Sequence, residues 1–96
     1  MKYNAIPALR QFMECYWMET ADLVYGNLTG AVQAFVQSEG DSMADRLMED
    51  LDRVQEAGYV VDRLNDFAEE FWMGMGARWI RPDDSKLIKL LVARRN

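Results

Sequence analysis

The chain has 96 residues, half of them hydrophobic, with three tryptophans, one cysteine, no histidine and a net charge of −5. This length and apolar content suffice for one modest core, so we expect a single domain over residues 1–96 rather than a disordered chain. The absence of histidine excludes Ser-His-Asp and Cys-His catalysis and most zinc sites. Neither a signal peptide nor an apolar run near the roughly 20 residues that span a bilayer is recognisable, so we expect a soluble cytoplasmic protein.

The first predicted helix begins near Pro7, a residue suited to a first turn, and ends near Thr20. Its apolar positions follow helical spacing and are Ile6, Leu9, Met13, Tyr16 and Trp17. We expect Tyr16 and Trp17 to anchor this helix in the core and Cys15 to be buried on its apolar side. The segment DLVYGN, residues 22–27, is predicted to be a turn.

Two further helices are predicted before Gly58. Asn27 is the expected N-cap of the second helix, whose apolar positions are Leu28, Ala31, Val32, Phe35 and Val36. The segment SEGDS, residues 38–42, is expected to break the chain. The third helix is then capped by Asp41 or Ser42 and buries Met43, Leu47, Leu51 and Val54.

A fourth helix is predicted from Tyr59 to Trp72, before the glycines of GMG at 74–76 stop it. Its inward positions are Val60, Leu64, Phe67, Ala68 and Phe71. The last helix is capped by Asp83, Asp84 or Ser85, and its inward positions are Leu87, Ile88, Leu91 and Val92. Since no alternating strand pattern of useful length occurs, the sequence predicts an all-α fold, a single-domain compact bundle of about five helices.

Charge is distributed unevenly along the chain. Residues 39–70 contain eleven acids and three arginines, a net charge of −8, whereas residues 71–96 carry a net charge of +4. The acidic middle is expected to repel nucleic acid and to attract a basic partner. The basic residues of the last helix, Lys86, Lys89, Arg94 and Arg95, are expected to face outward, where they complement the helix dipole.

Helical spacing arranges the acids of the middle segment in two rows. One row consists of Asp45, Glu49, Asp52 and Glu56, and the other of Asp62, Asp66, Glu69 and Glu70. Such a row is either a solvated face or a surface that docks on a basic protein. A di-metal carboxylate site in a bundle would need Glu-x-x-His motifs, so neither a metal nor another cofactor is predicted. No nucleophile, base or cofactor loop is recognisable, and the chain is therefore not expected to be an enzyme.

The first half of the chain contains a series of five short motifs. It comprises P-x-L-x-x-F, an aromatic pair, D-L-x-Y-G, A-V-x-x-F and L-x-x-D-L-D, which begin at Pro7, Tyr16, Asp22, Ala31 and Leu47. In this order the motifs resemble the small immunity proteins of bacterial contact-dependent growth inhibition (CDI) systems, the CdiI family. The chain departs from that family after the aromatic pair, where Met18, Glu19 and Thr20 replace a His-Gln-Asp segment.

The resemblance implies a cytoplasmic antidote that binds, one to one, the C-terminal toxin domain of a large secreted CdiA-like protein. Many such toxins are nucleases, often ribonucleases, so the acidic surface would cover a basic substrate-binding groove without binding nucleic acid or membrane itself. Glu19 and Asp22, beside the aromatic pair, join the two acidic rows as candidate toxin-binding residues. The alternative is a small acidic helical adaptor or regulator that binds another basic protein.

Overall fold

A computed structural model of the chain describes residues 5–17, 21–59 and 80–95. These residues form four helices, which we number α1 (Pro7–Cys15), α2 (Ala21–Tyr25), α3 (Leu28–Glu56) and α4 (Pro82–Ala93). They contain no strand, so the predicted all-α class is confirmed. The radius of gyration, 12.5 Å, agrees with the value of about 12.5 Å expected for a compact folded chain of this length.

The helix count of about five was wrong for the described part of the chain, which has four. Most of the short helix α2 lies within the predicted turn at 22–27, because the chain does not turn until Gly26, where φ is +83°. The second and third predicted helices are joined in α3. The predicted helix from Tyr59 to Trp72 falls, beyond Tyr59 itself, outside the described residues.

The predicted break at 38–42 is a kink inside α3 rather than a loop. Gly40 has φ +86° and ψ 176°, a backbone conformation that essentially only glycine adopts. Helical structure continues directly on both sides of this single residue. The two halves of α3 are therefore consecutive in sequence, and the helix is kinked at Gly40.

The first helix ends earlier than predicted, at Cys15 rather than near Thr20. The backbone N–H groups of Tyr16 and Trp17 both donate to the carbonyl oxygen of Phe12 at 2.9 Å, which closes the helix. Cys15 is exposed, contrary to the prediction of a buried thiol. It lies about 120° around the helix from Leu9, at the edge of the buried stripe.

The core lies where α1 and α4 pack against α3. Its largest fully buried side chains are Ile6, Leu9, Phe12, Met13, Val32, Phe35, Leu47, Leu51, Val54, Ile80 and Ile88. Leu87, which was predicted to face inward, is exposed, because Ser85, Ile88 and Val92 define the buried side of α4. None of the helices that the structure describes is long and apolar enough to cross a membrane.

Candidate functional site

Four exposed carboxylates follow one face of the second half of α3. Asp45, Glu49, Asp52 and Glu56, which we call the carboxylate row, are all exposed and lie within about 60° of helical arc over about 16 Å. Leu47, Leu51 and Val54 are buried on the other side of the same helix. The predicted grouping of these acids on one outward face is therefore present in the fold.

Lys89 of α4 and Arg95, two residues after the end of α4, are paired with two members of this row. The Arg95 guanidinium contacts Asp45 at 2.6 Å and Asp41 at 3.2 Å. Lys89 forms an ion pair with Asp52 and donates to the amide oxygen of Gln55 at 3.1 Å. The acidic middle and the basic end of the sequence thus neutralise each other in part, which their separation in sequence had concealed.

The other two members of the row, Glu49 and Glu56, make no ion pair among the described residues. Both are exposed. They are therefore the carboxylates of the row whose charge is most available to a partner, because no cation of the described residues has to be displaced first.

A fifth acid of α3, Asp50, is buried and has a structural role. The residue is 2% exposed, and Oδ2 accepts hydrogen bonds from the backbone N–H groups of Ala8 at 2.8 Å and Leu9 at 3.0 Å. These N–H groups belong to the first turn of α1, where the helix itself supplies no carbonyl oxygen to accept their hydrogen bonds. Asp50 therefore caps α1 from a position 42 residues further along the chain.

Arg53 completes this contact between α3 and the start of α1. Its guanidinium lies 3.5 Å from Asp50 and donates to the carbonyl oxygen of Ala5 at 2.9 Å. Burial raises the pKa of Asp50 above its usual range, while the two N–H groups and Arg53 oppose that rise. Sequence reasoning missed the capping role, although an acid on the same side as Leu47, Leu51 and Val54 was a signal of it.

Aromatic rings fill the space between α1, α2 and the first half of α3. The Tyr16 ring lies 5.3 Å from that of Phe35 and 5.9 Å from that of Tyr25, and Phe12 lies 5.6 Å from Phe35, measured between centroids. The Tyr16 hydroxyl donates to Glu39 at 3.0 Å. Tyr16 and Trp17 are both buried, which confirms their predicted packing role.

The remaining candidate residues are placed only in part. The backbone of Asp22 lies in α2. Five candidates fall outside the described residues: Glu19, Asp62, Asp66, Glu69 and Glu70. Within residues 5–17, 21–59 and 80–95, no group of three or more potential metal ligands is close enough to hold an ion.

The exposed Cys15 thiol is poorly suited to nucleophilic chemistry. Partial burial, followed by the negative charges of Glu14 and Glu39, raises its pKa and so disfavours the thiolate. Comparison with known proteins adds no assignment, since no protein-family model, curated protein or solved structure matches the chain.

Proposed function

We propose that this protein acts by binding rather than by catalysis, as an immunity protein that neutralises the toxin domain of a CDI system in the cytoplasm. Two independent observations support the proposal. The order of motifs in the first half of the chain resembles the CdiI family, and the carboxylate row gives the fold an exposed acidic face. The row is the observation that carries the proposed mechanism.

A nuclease toxin holds phosphates with lysine and arginine, so its substrate groove is positively charged. A surface of opposite charge speeds diffusional encounter with such a groove and, once bound, excludes the nucleic acid. Glu49 and Glu56 can contact toxin cations directly. Asp45 and Asp52 can do so only by exchanging Arg95 and Lys89 for groups of the toxin.

The proposal is tested first by purifying the protein with the toxin domain encoded immediately upstream of its gene. The expected result is an equimolar complex in which the toxin no longer degrades RNA. If no complex forms and degradation continues, the toxin assignment is wrong, and the alternative of an acidic adaptor for another basic protein takes its place.

The mechanism is tested by charge reversal at positions that do not support the fold. Glu49→Lys and Glu56→Lys together are expected to slow toxin association by about tenfold or more at low salt and to weaken its salt dependence. Asp45 and Asp52 are less suitable, because their reversal would also break contacts with α4.

Asp83→Lys is a matched control for the single variant Glu49→Lys. Asp83 is also an exposed acid, but it lies in the first turn of α4 instead of the carboxylate row. Both substitutions change the net charge by the same amount. Equal association rates for the two variants would remove the carboxylate row from the mechanism while leaving the toxin assignment intact.

A further inference from the structure

Two large apolar side chains of α4 face away from the core. Leu87 is 37% exposed and Leu90 is 46% exposed, whereas Ser85, Ile88 and Val92 on the other side of the helix are buried. Single exposed leucines are common on protein surfaces, but these two lie one turn apart on the same face of one helix. The core of the described residues does not account for this pair.

A charged residue extends the leucine pair at each end. Asp83 precedes Leu87 by four residues and Arg94 follows Leu90 by four, so helical geometry places these four residues within about 60° of arc over about 16 Å. We call them the α4 stripe. Asp83 and Arg94 are exposed and form no ion pair with any residue that the structure describes. Lys86, another exposed cation, lies at the edge of the stripe, where its ammonium group remains in water.

The α4 stripe is complementary to a reversed copy of itself. Asp83 lies as far before the centre of the stripe as Arg94 lies after it, and Leu87 and Leu90 are likewise equidistant from that centre. A twofold axis through the centre therefore brings Asp83 to Arg94 of a second copy at both ends, and Leu87 to Leu90 between them. The spacing of four, three and four residues is also that of the seam between the helices of a coiled coil.

We propose that two copies of this chain associate through antiparallel α4 stripes. The twofold match favours a second copy over an unrelated partner, because an isologous contact requires a surface that complements itself. The stripe is neutral and brings no like charges together, and repulsion between two acidic copies is screened beyond about 8 Å at physiological ionic strength. The inference does not rest on the proposed function, because the carboxylate row on α3 takes no part in the contact.

The contact is expected to be weak. Two 12-residue helices that meet along one face bury less than the area of about 1,200 Å² that is typical of stable complexes. Sedimentation velocity at about 0.15 M salt, from about 10 µM to about 1 mM protein, should show self-association that increases with concentration. At the submicromolar concentrations of toxin kinetics the copies are separate, so Asp83 remains a suitable control position there. A protein that remains monomeric over the whole range overturns the inference.

Leucine variants test whether the stripe makes the contact. Leu87→Ser combined with Leu90→Ser should weaken self-association by about tenfold or more, as the loss of the centre of an interface does. Leu23→Ser is the matched control, since Leu23 is an exposed leucine of α2 outside the stripe, and it should leave association unchanged. Equal losses in the two variants refute the contact.

Charge variants distinguish the stripe from general repulsion between acidic copies. Asp83→Arg makes the protein less acidic, so general repulsion alone predicts tighter association. The stripe predicts association weaker by about tenfold or more, because the variant places Arg94 of the second copy against another cation. Arg94→Asp should weaken association for the corresponding reason. The combined exchange, Asp83→Arg with Arg94→Asp, keeps the original net charge and should restore association, since both end pairs form again with reversed polarity.

Mixing the two single charge variants gives the decisive result. In a mixed dimer each end joins a cation of one variant to a carboxylate of the other, so an equimolar mixture should associate more tightly than either variant alone. These reversals oppose the dipole of α4, and circular dichroism therefore verifies that each variant is folded. A mixture no more associated than its components, or Asp83→Arg that associates as tightly as the unmodified protein, refutes the contact.

Discussion

Replacement of Asp50 by alanine is expected to be the most damaging change of a single charged residue in the described structure. It removes the acceptor of the Ala8 and Leu9 N–H groups, and both of these residues are buried, so water cannot readily take its place. Losing an N-cap costs about 0.5–2 kcal/mol, and a buried donor left without an acceptor costs about 1–3 kcal/mol.

These costs are offset in part, because the alanine variant has no carboxylate that loses its hydration on folding. The net loss in free energy of unfolding is therefore expected to be about 2–4 kcal/mol. For a domain of this size, such a loss lowers Tm by roughly 10–25 °C. It is a large part of the total stability of about 5–15 kcal/mol that is typical of small domains.

Urea unfolding followed by circular dichroism measures this loss directly. Asp52→Ala is the matched control, since Asp52 is the same residue type on the same helix but is exposed and paired with Lys89. A surface ion pair of this kind contributes about 0–1 kcal/mol. If both variants lose the same small amount of stability, the long-range cap contributes little and the reasoning is refuted.

Four further predictions concern single positions. Because burial raises the pKa of Asp50, folding favours the protonated carboxyl group, and this proton-linked part of the stability is full below the unfolded-state pKa and is lost as pH rises through the folded-state pKa. The free energy of unfolding of the protein minus that of Asp50→Asn, from urea unfolding, should therefore decrease as pH rises from about 4 towards neutrality, and a pH-independent difference would contradict the raised pKa. Gly40→Ala should cost about 1–3 kcal/mol in the same assay, all of it backbone strain because no atom lies within 4 Å of the new Cβ, and a neutral result would contradict the assigned kink. Gly30→Ala should cost at least about 1–3 kcal/mol in thermal unfolding, because the Cβ would overlap a backbone carbonyl oxygen of α2, and an unchanged Tm would rule out that close approach. Tyr16→Phe should cost about 1 kcal/mol through the lost hydrogen bond to Glu39, and a double-mutant cycle with Glu39→Gln should show coupling.

Two helix starts were predictable from neighbouring residues, whereas the start of α4 was not: its N-cap is Arg81 instead of Asp83, Asp84 or Ser85. Asn27 caps α3 as predicted, with its side chain accepting from the Gly30 N–H at 2.9 Å, and Pro7 occupies the first turn of α1. The carboxylate row was also predictable, because residues spaced three and four apart share a helix face whatever the helix packs against. The apolar stripe of α3 followed for the same reason.

The features that depend on distant residues were not predictable. Asp50 resembles any acid of the middle segment until the first turn of α1 is placed beside it, and Asp45 and Asp52 appear fully available until Arg95 and Lys89 are brought to them. The exposure of Leu87 likewise depended on which side of α4 meets α3. Helical periodicity places a side chain on a face, but it does not say what that face will meet.

The sequence by itself therefore determined the helical class, the positions of most helices and the acidic face, since all three follow from spacing along the chain. Only the tertiary structure decided which of those charges remain available for binding. The reason is electrostatic and steric: an ion pair or a buried cap requires two groups a few ångströms apart, and groups some forty residues apart in sequence reach that distance only when the helices pack.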